Sequence, residues 1–171
     1  MNIDAAISLL IASGCRNVVF DLFSIFFSVF FSFAFFPLVL IILHQTKKKI
    51  STMLIALLFN FIIVNVVKFI VQRPRPFFIQ SNPIFLASSY SFPSGHASIA
   101  FVFAVFFSNF YPKYKYIFYL IAIAVSLSRV YLGVHYLSDV IAGAIIGFIV
   151  SKFVIEREKK IDAILKKFYL G

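Results

Sequence analysis

Three short stretches hold the residue types that could do chemistry in an otherwise apolar chain. They are Lys68-x6-Arg75-Pro76, Pro93-Ser94-Gly95-His96 and Ser128-Arg129-x5-His135-x3-Asp139. Charge in an apolar setting is costly, so such clusters are first read as a functional site. In the third stretch His135 and Asp139 stand four residues apart. On a helix that spacing puts them on one face, with the carboxylate in reach of the imidazole. Gly133, just before them, suits a turn between two helices.

Two arginines and a lysine gathered in a partly dehydrated pocket would bind an oxyanion, since the arginine fork matches phosphate oxygens. Ser94 and Gly95 at a helix start would add backbone N–H groups and a favourable dipole. These residue types therefore point to a phosphate ligand. Two histidines suit a covalent mechanism, in which one attacks phosphorus and the other protonates the leaving oxygen. Asp139 would fix the tautomer of His135 and stabilise its imidazolium, which assigns His135 as the nucleophile. The motif of His96 holds no carboxylate, and His96 is assigned as the general acid.

Only elements that cross a membrane could position such residues in this chain. It has 171 residues, 62% hydrophobic and 13% charged, and its mean hydropathy is +1.01. An ordinary globular protein carries roughly 25% charged residues, so a soluble domain is excluded. The composition predicts a single membrane-embedded domain over residues 1–171. It would be an all-α integral membrane bundle of about five transmembrane helices plus a short N-terminal interfacial helix.

Residues 1–13 read as that interfacial helix, with Ile3, Ala6, Ile7, Leu10 and Ile11 at helical spacing. A polar connector over 14–21 completes the interfacial part, residues 1–21. Spans are predicted over 22–43, 50–67, 94–111, 116–131 and 134–155, with Pro37 kinking the first. Asn60 and Asn65 would hydrogen-bond to neighbouring helices, and Gly143 and Gly147 have the small-xxx-small spacing of close helix packing within the bundle or between chains. Prolines rule out a continuous helix over 68–94, and a loop this long is usually functional. Residues 156–171 read as a basic amphipathic tail, with Ile161, Ile164, Leu165 and Phe168 on one face. The single cysteine, Cys15, can form no internal disulfide.

With about five spans, Lys47, Lys48, Lys49, Lys113, Lys115 and the cations of the tail share one side. The positive-inside rule places that side, and the C-terminus, in the cytoplasm. The three motifs then all face the outside or periplasm of a cell membrane. The net charge of +10 is accounted for by topology and anionic lipid rather than by nucleic acid.

In this order the three motifs closely resemble those of the type 2 phosphatidic acid phosphatase superfamily, which includes membrane lipid phosphatases and soluble vanadium haloperoxidases. The resemblance runs from about residue 50 to residue 155 and matches at every motif position. It implies hydrolysis of a phosphomonoester or diphosphate through a phosphohistidine, without a metal or other cofactor. It also implies that Lys68, Arg75 and Arg129 hold the phosphate with Ser94 and Gly95. His96 would be the acid, and His135 with Asp139 would supply the nucleophile. Many relatives have six spans; here the short amphipathic segment stands in place of the first.

A site at the membrane surface between spans favours an amphiphilic lipid phosphate as partner. Undecaprenyl or another polyprenyl diphosphate, phosphatidylglycerol phosphate, phosphatidic acid and lipid A 1-phosphate all fit. Two other readings stay open at this point: a lipid phosphotransferase using the same phosphohistidine, and a non-enzymatic anion transporter. The transporter would need charges spread through the membrane depth. Arg73 falls outside the motif spacing and reads at least as well as a solvated or headgroup-facing cation as a ligand. Ser128 is evenly balanced between phosphate donor and cap. Tyr131 and Tyr136 read as interfacial aromatics, His44 as merely polar, and the Phe-rich first span as lipid-facing.

Overall fold

The computed structural model describes residues 3–14, 17–33, 47–76 and 90–158. Among these, the α-helices in order are α1 (Ile3–Gly14), α2 (Val18–Phe33), α3 (Lys47–Val71), α4 (Gly95–Phe110), α5 (Lys115–Tyr131) and α6 (Leu137–Glu156). A 3-10 turn, Pro112–Tyr114, joins α4 to α5. No strand occurs among the described residues, in keeping with the all-α expectation. The end of the first predicted span (34–43), His44, the loop 77–89 and the tail beyond 158 lie outside the described residues.

Local chemistry explains where the helices begin and end. Asn17 caps α2, its Oδ1 accepting the N–H groups of Val19 (2.7 Å) and Phe20 (3.3 Å). The connector is therefore shorter than the spacing suggested, and Asp21 lies in the first turn of α2. Helix α3 runs past the predicted end of its span, so Lys68 is part of its last turn. It stops where Gln72 turns left-handed (φ 48°), and Pro74 disfavours helical geometry at Arg73. Helix α5 ends in a Schellman turn: Gly133 (φ 69°) donates to the Val130 carbonyl (2.9 Å) and Val134 to that of Arg129 (3.2 Å).

By length and composition, Ile50–Val71 and Leu137–Glu156 are able to cross a membrane. The pair Ile3–Gly14 and Val18–Phe27, bent by 115° at its break, passes the same test only if taken as one span. Helix α4 is a shorter apolar helix. It forms the centre of the bundle, packed against α6, α5 and α3, while α2 lies on α5 and α1 lies across α5 and α6. Met53, Phe103, Phe106, Phe107 and Val125 form the core around it.

The outside is as apolar as the inside. On α3, Met53, Ala56, Asn60 and Val64 are buried, whereas Leu58, Phe61, Phe69 and Ile70 are exposed. Helices α5 and α6 likewise expose Leu120, Ile149 and Phe153. Apolar surface all round a bundle has lipid, not water, as its solvent. Inside that bundle Asn60 behaves as expected, accepting from the Ser98 hydroxyl of α4. Asn65 does not: its amide donates to the Phe61 carbonyl of its own helix (2.7 Å), because it faces outward where no neighbour offers an acceptor among the described residues.

Gly143 and Gly147 pack against α4. A Cβ on Gly143 would collide with the Ser94 carbonyl, and one on Gly147 with the Ser98 carbonyl. The small-residue spacing thus serves the bundle's interior. A methyl group there must push backbone away from backbone, an overpacking cost of about 1–3 kcal/mol. Gly147→Ala should accordingly lower the Tm measured in detergent. Gly14→Ala, whose added Cβ meets nothing within 4 Å, should not.

Candidate active site

The α5–α6 connection builds the centre of the site. Arg129 stands in the last turn of α5, and its carbonyl accepts the N–H groups of both Val134 (3.2 Å) and His135 (3.3 Å). The turn that ends the helix therefore delivers His135 beside the arginine. Tyr136, extended at φ −75° and ψ 159°, precedes the first residue of α6. His135 consequently lies outside the helix, and the expectation that it shares a helical face with Asp139 is corrected. The physical route to contact is different. Asp139 is the third residue of α6 and folds back, its Oδ2 accepting the Tyr136 N–H (2.9 Å), in the manner of a capping box. This leaves Oδ2 at 3.4 Å from His135 Nδ1, a long contact of the kind that tightens when a ligand binds.

Around this pair the other candidate residues converge. Arg75 Nη1 donates to the Val134 carbonyl (2.9 Å) and lies 3.3 Å from His135 Nε2. With Nδ1 facing the carboxylate, Nε2 is the imidazole nitrogen turned toward the cations. Lys68 donates to the Tyr90 carbonyl and is close enough to Arg75 and Asp139 to feel both charges. His96, at the start of α4, faces Arg129, His135, Arg75 and Lys68. Gly95 opens the same helix, where backbone N–H groups lack intrahelical acceptors. Ser94 is wholly buried. Its N–H is used by the Asp139 carbonyl (2.9 Å), and its Oγ has no hydrogen-bond partner among the described residues. The serine would therefore reach a phosphate through its hydroxyl rather than its backbone.

Burial pushes the His135 imidazole down to about 4, helped by the positive charge of Arg75 and Arg129 and opposed by Asp139. The ring is thus neutral at pH 7, the form with a lone pair to offer. Among the described residues no group of three or more His, Cys, Asp or Glu side chains stands together in a way that could hold a metal ion.

Several residues set aside on sequence grounds prove to be neighbours of the site. Arg73 is only partly exposed and is engaged by two carboxylates. Its Nη1 reaches Asp139 Oδ1 (2.7 Å) and Ser138 Oγ (2.6 Å), and its Nη2 reaches Asp4 Oδ2 (2.7 Å). The guanidinium lies 3.8 Å from the centroid of the Tyr136 ring. Ser91 donates its hydroxyl to Asp139 Oδ2 and its N–H to the Arg73 carbonyl (2.8 Å). Ser128 lies within α5, where its Oγ donates to the Val125 carbonyl of its own helix (2.7 Å). It also lines an apolar cavity of about 550 Å³ with Phe23, Leu127 and Tyr131. The Tyr131 hydroxyl donates to Asp21 Oδ1 (2.8 Å). Only Asp4 carried a usable signal, as the one acid on an otherwise apolar surface helix.

A helical bundle with an apolar exterior, and with lysine, arginines, histidines and a buried aspartate gathered at one end, defines a membrane protein with a polar, cationic site. Comparison with known proteins gives the family. The model of the PAP2 superfamily matches residues 49–161, and the chain belongs to that superfamily. It is 38% identical over 138 residues to the undecaprenyl-diphosphatase of Sulfolobus acidocaldarius, covering 74% of this chain and 66% of that protein. It is also 38% identical over 109 residues to phosphatidylglycerophosphatase B of Bacillus subtilis, covering 57% and 50%. The chain thus spans half to two thirds of the length of these curated relatives. The crystal structure of Aquifex aeolicus LpxE superimposes with a TM-score of 0.79 at 28% identity, covering 91% of this chain and 96% of that one.

The low pKa of His135 has a direct readout. In NMR of imidazole-labelled protein the His135 ring should remain neutral through pH 6.5 and protonate only well below it. Titration near the ordinary histidine value, about 6.5, would contradict the burial argument.

Proposed function

We propose that this protein is a membrane lipid phosphatase that hydrolyses a lipid phosphate or diphosphate through a phosphohistidine. The observation that carries the reading is the alignment Asp139–His135–Arg75. A carboxylate stands at Nδ1, a neutral ring lies between, and the Arg75 cation faces Nε2. Family membership and the phosphatase names of the relatives support the same class.

In this reading the phosphate binds among Lys68, Arg75, Arg129, the Ser94 hydroxyl and the Gly95 N–H. His135 Nε2 attacks phosphorus, forming a P–N bond while the bond to the leaving oxygen breaks. His96 gives its proton to that oxygen as it leaves. Asp139 stabilises the imidazolium character that develops on His135. Water then attacks the phosphohistidine with His96 as base, the P–N bond breaks, and phosphate departs. The cations balance charge that builds on the phosphoryl oxygens, which is where preorganised donors contribute most.

The substrate class is an amphiphile with an exposed phosphate. Undecaprenyl or other polyprenyl diphosphate, phosphatidylglycerol phosphate, phosphatidic acid and lipid A 1-phosphate remain the panel, and the relatives' names fall within it. Residues 1–171 act as one domain with about five spans, the site facing outward and the C-terminus in the cytoplasm. The cation distribution of the sequence supports that orientation.

Phosphate release from this lipid panel tests the reading. His135→Ala should fall to background, and His96→Ala should lose on the order of 10² to 10⁴ in rate. Asp139→Asn should fall between wild type and His135→Ala. A folded His135→Ala with appreciable turnover would end the nucleophile assignment. Orientation is tested separately with a cysteine at Asn82 in a Cys15→Ser background. A membrane-impermeant maleimide should label it in intact cells, and labelling only after lysis would invert the topology.

A further inference from the structure

We infer that α1 is a positioning element of the active site: through Asp4 and Arg73 this surface helix sets the aim and charge of Asp139, and thereby the readiness of His135. The inference rests on the phosphohistidine reading above and assigns two residues outside the family-like motifs.

Two sets of contacts carry it. The first is an alternating chain of charge. Asp4 Oδ2 meets Arg73 Nη2 at 2.7 Å, Arg73 Nη1 meets Asp139 Oδ1 at 2.7 Å, and Asp139 Oδ2 faces His135 Nδ1 at 3.4 Å. Arg73 thus occupies one carboxylate oxygen, and the other, which also accepts from the Ser91 hydroxyl and the Tyr136 N–H, is turned to the imidazole. The second set caps α6. Tyr136, at the position before the helix, makes no side-chain cap. Helix α1 supplies the acceptors instead: Ser8 Oγ takes the Leu137 N–H (2.9 Å) and Asp4 Oδ1 takes the Ser138 N–H (3.1 Å). The first turn of α6, which carries Asp139, is therefore held by α1 at its backbone as well as at its charge.

The charges respond accordingly. Burial would raise Asp4, but hydrogen bonds from Ser138 and Arg73 bring it below the usual carboxylate range. Burial would lower Arg73, but Asp4 and Asp139 raise it. His135 is faced by Arg75 from the segment after α3, His96 from α4, Arg129 from α5 and Asp139 from α6. Lys68 of α3 faces Asp139 and His96. None of these residues is altered in the Asp4 and Arg73 variants.

The test uses the full chain in detergent, with dioleoyl phosphatidic acid in mixed micelles as probe and NMR titration of the His135 ring as a second readout. Arg73→Gln removes the cation that draws on Asp139, so the carboxylate acts more fully on His135 and the ring should titrate at higher pH. Asp4→Asn leaves Arg73 to Asp139 alone, so the ring should titrate at lower pH. Both should lower kcat by on the order of tenfold to a hundredfold with KM little changed. Arg73→Lys and Asp4→Glu should recover part of the loss, and Ser13→Ala, at the far end of α1, should change nothing. Opposite shifts of the His135 titration are the signature of positioning. Shifts in one direction, no shift with only a lower Tm, or folded variants with wild-type kcat overturn the inference. A wild-type chain inactive on every lipid overturns the phosphatase reading instead, because the titration shifts read the coupling without turnover.

Discussion

A buried carboxylate organises this molecule. Asp139 is fully enclosed, and a charge taken out of water costs several kcal/mol unless donors replace the water. Those donors come from separate parts of the chain. Arg73 follows α3, Ser91 precedes α4, and the Tyr136 N–H lies at the threshold of α6, with His135 Nδ1 at a longer 3.4 Å. The backbone carbonyl of the same residue takes the Ser94 N–H. Satisfying one side chain therefore closes both ends of the 72–94 segment onto α6 and brings the three motifs to one place. Breaking a buried pair by removing one partner costs about 3–5 kcal/mol. By contrast the Asp4–Arg73 contact is partly open, with side chains 20% and 24% exposed. Pairs of that kind contribute about 0–1 kcal/mol. Its effect on the fold is small, and its consequence lies in where Arg73 points.

That convergence needs helices that approach closely. Gly143 and Gly147 let the backbone of α6 rest on the carbonyls of Ser94 and Ser98, and Ser94 begins the turn that opens α4. In lipid, association between helices depends on such packing and on interhelical hydrogen bonds, since burial of apolar surface offers no advantage over the acyl chains. The Ser98–Asn60 bond from α4 to α3 serves the same end. The site is thus assembled by contacts that function in a membrane, on a bundle whose outer face is apolar.

Much of this was legible in the sequence. Apolar runs broken by proline, glycine and cations gave the order of the helices, and the boundaries of α4 and α5 fell close to expectation. Errors arose where local chemistry competed with periodicity. Asn17 capped α2 early, α3 ran on past its polar residue, and the Schellman turn at Gly133 kept 134–136 out of α6. The residues of the three motifs are neighbours in the fold, as their chemistry implied. Arg73, Ser91 and Tyr136 were not read as part of the site, because nothing in their spacing distinguishes them from ordinary interfacial residues.

By itself the sequence determined the all-α membrane class, the ionisable residue types that gather at one end of it, and the pairing of a histidine with an aspartate. It could do so because hydropathy, helix breakers and the chemistry of ionisable groups are local properties. Only the tertiary structure decided how Asp139 is held. Its arginine lies 66 residues away in the chain, and the Asp4 that engages both Arg73 and Ser138 lies 69 and 134 residues from them. Contacts over such distances follow from how helices pack, and no periodicity announces them. The charged cluster in an apolar chain is therefore half chemistry and half clasp: Arg75 lies at His135 Nε2, while Asp139 is gripped by Arg73, which Asp4 of the N-terminal helix holds in turn.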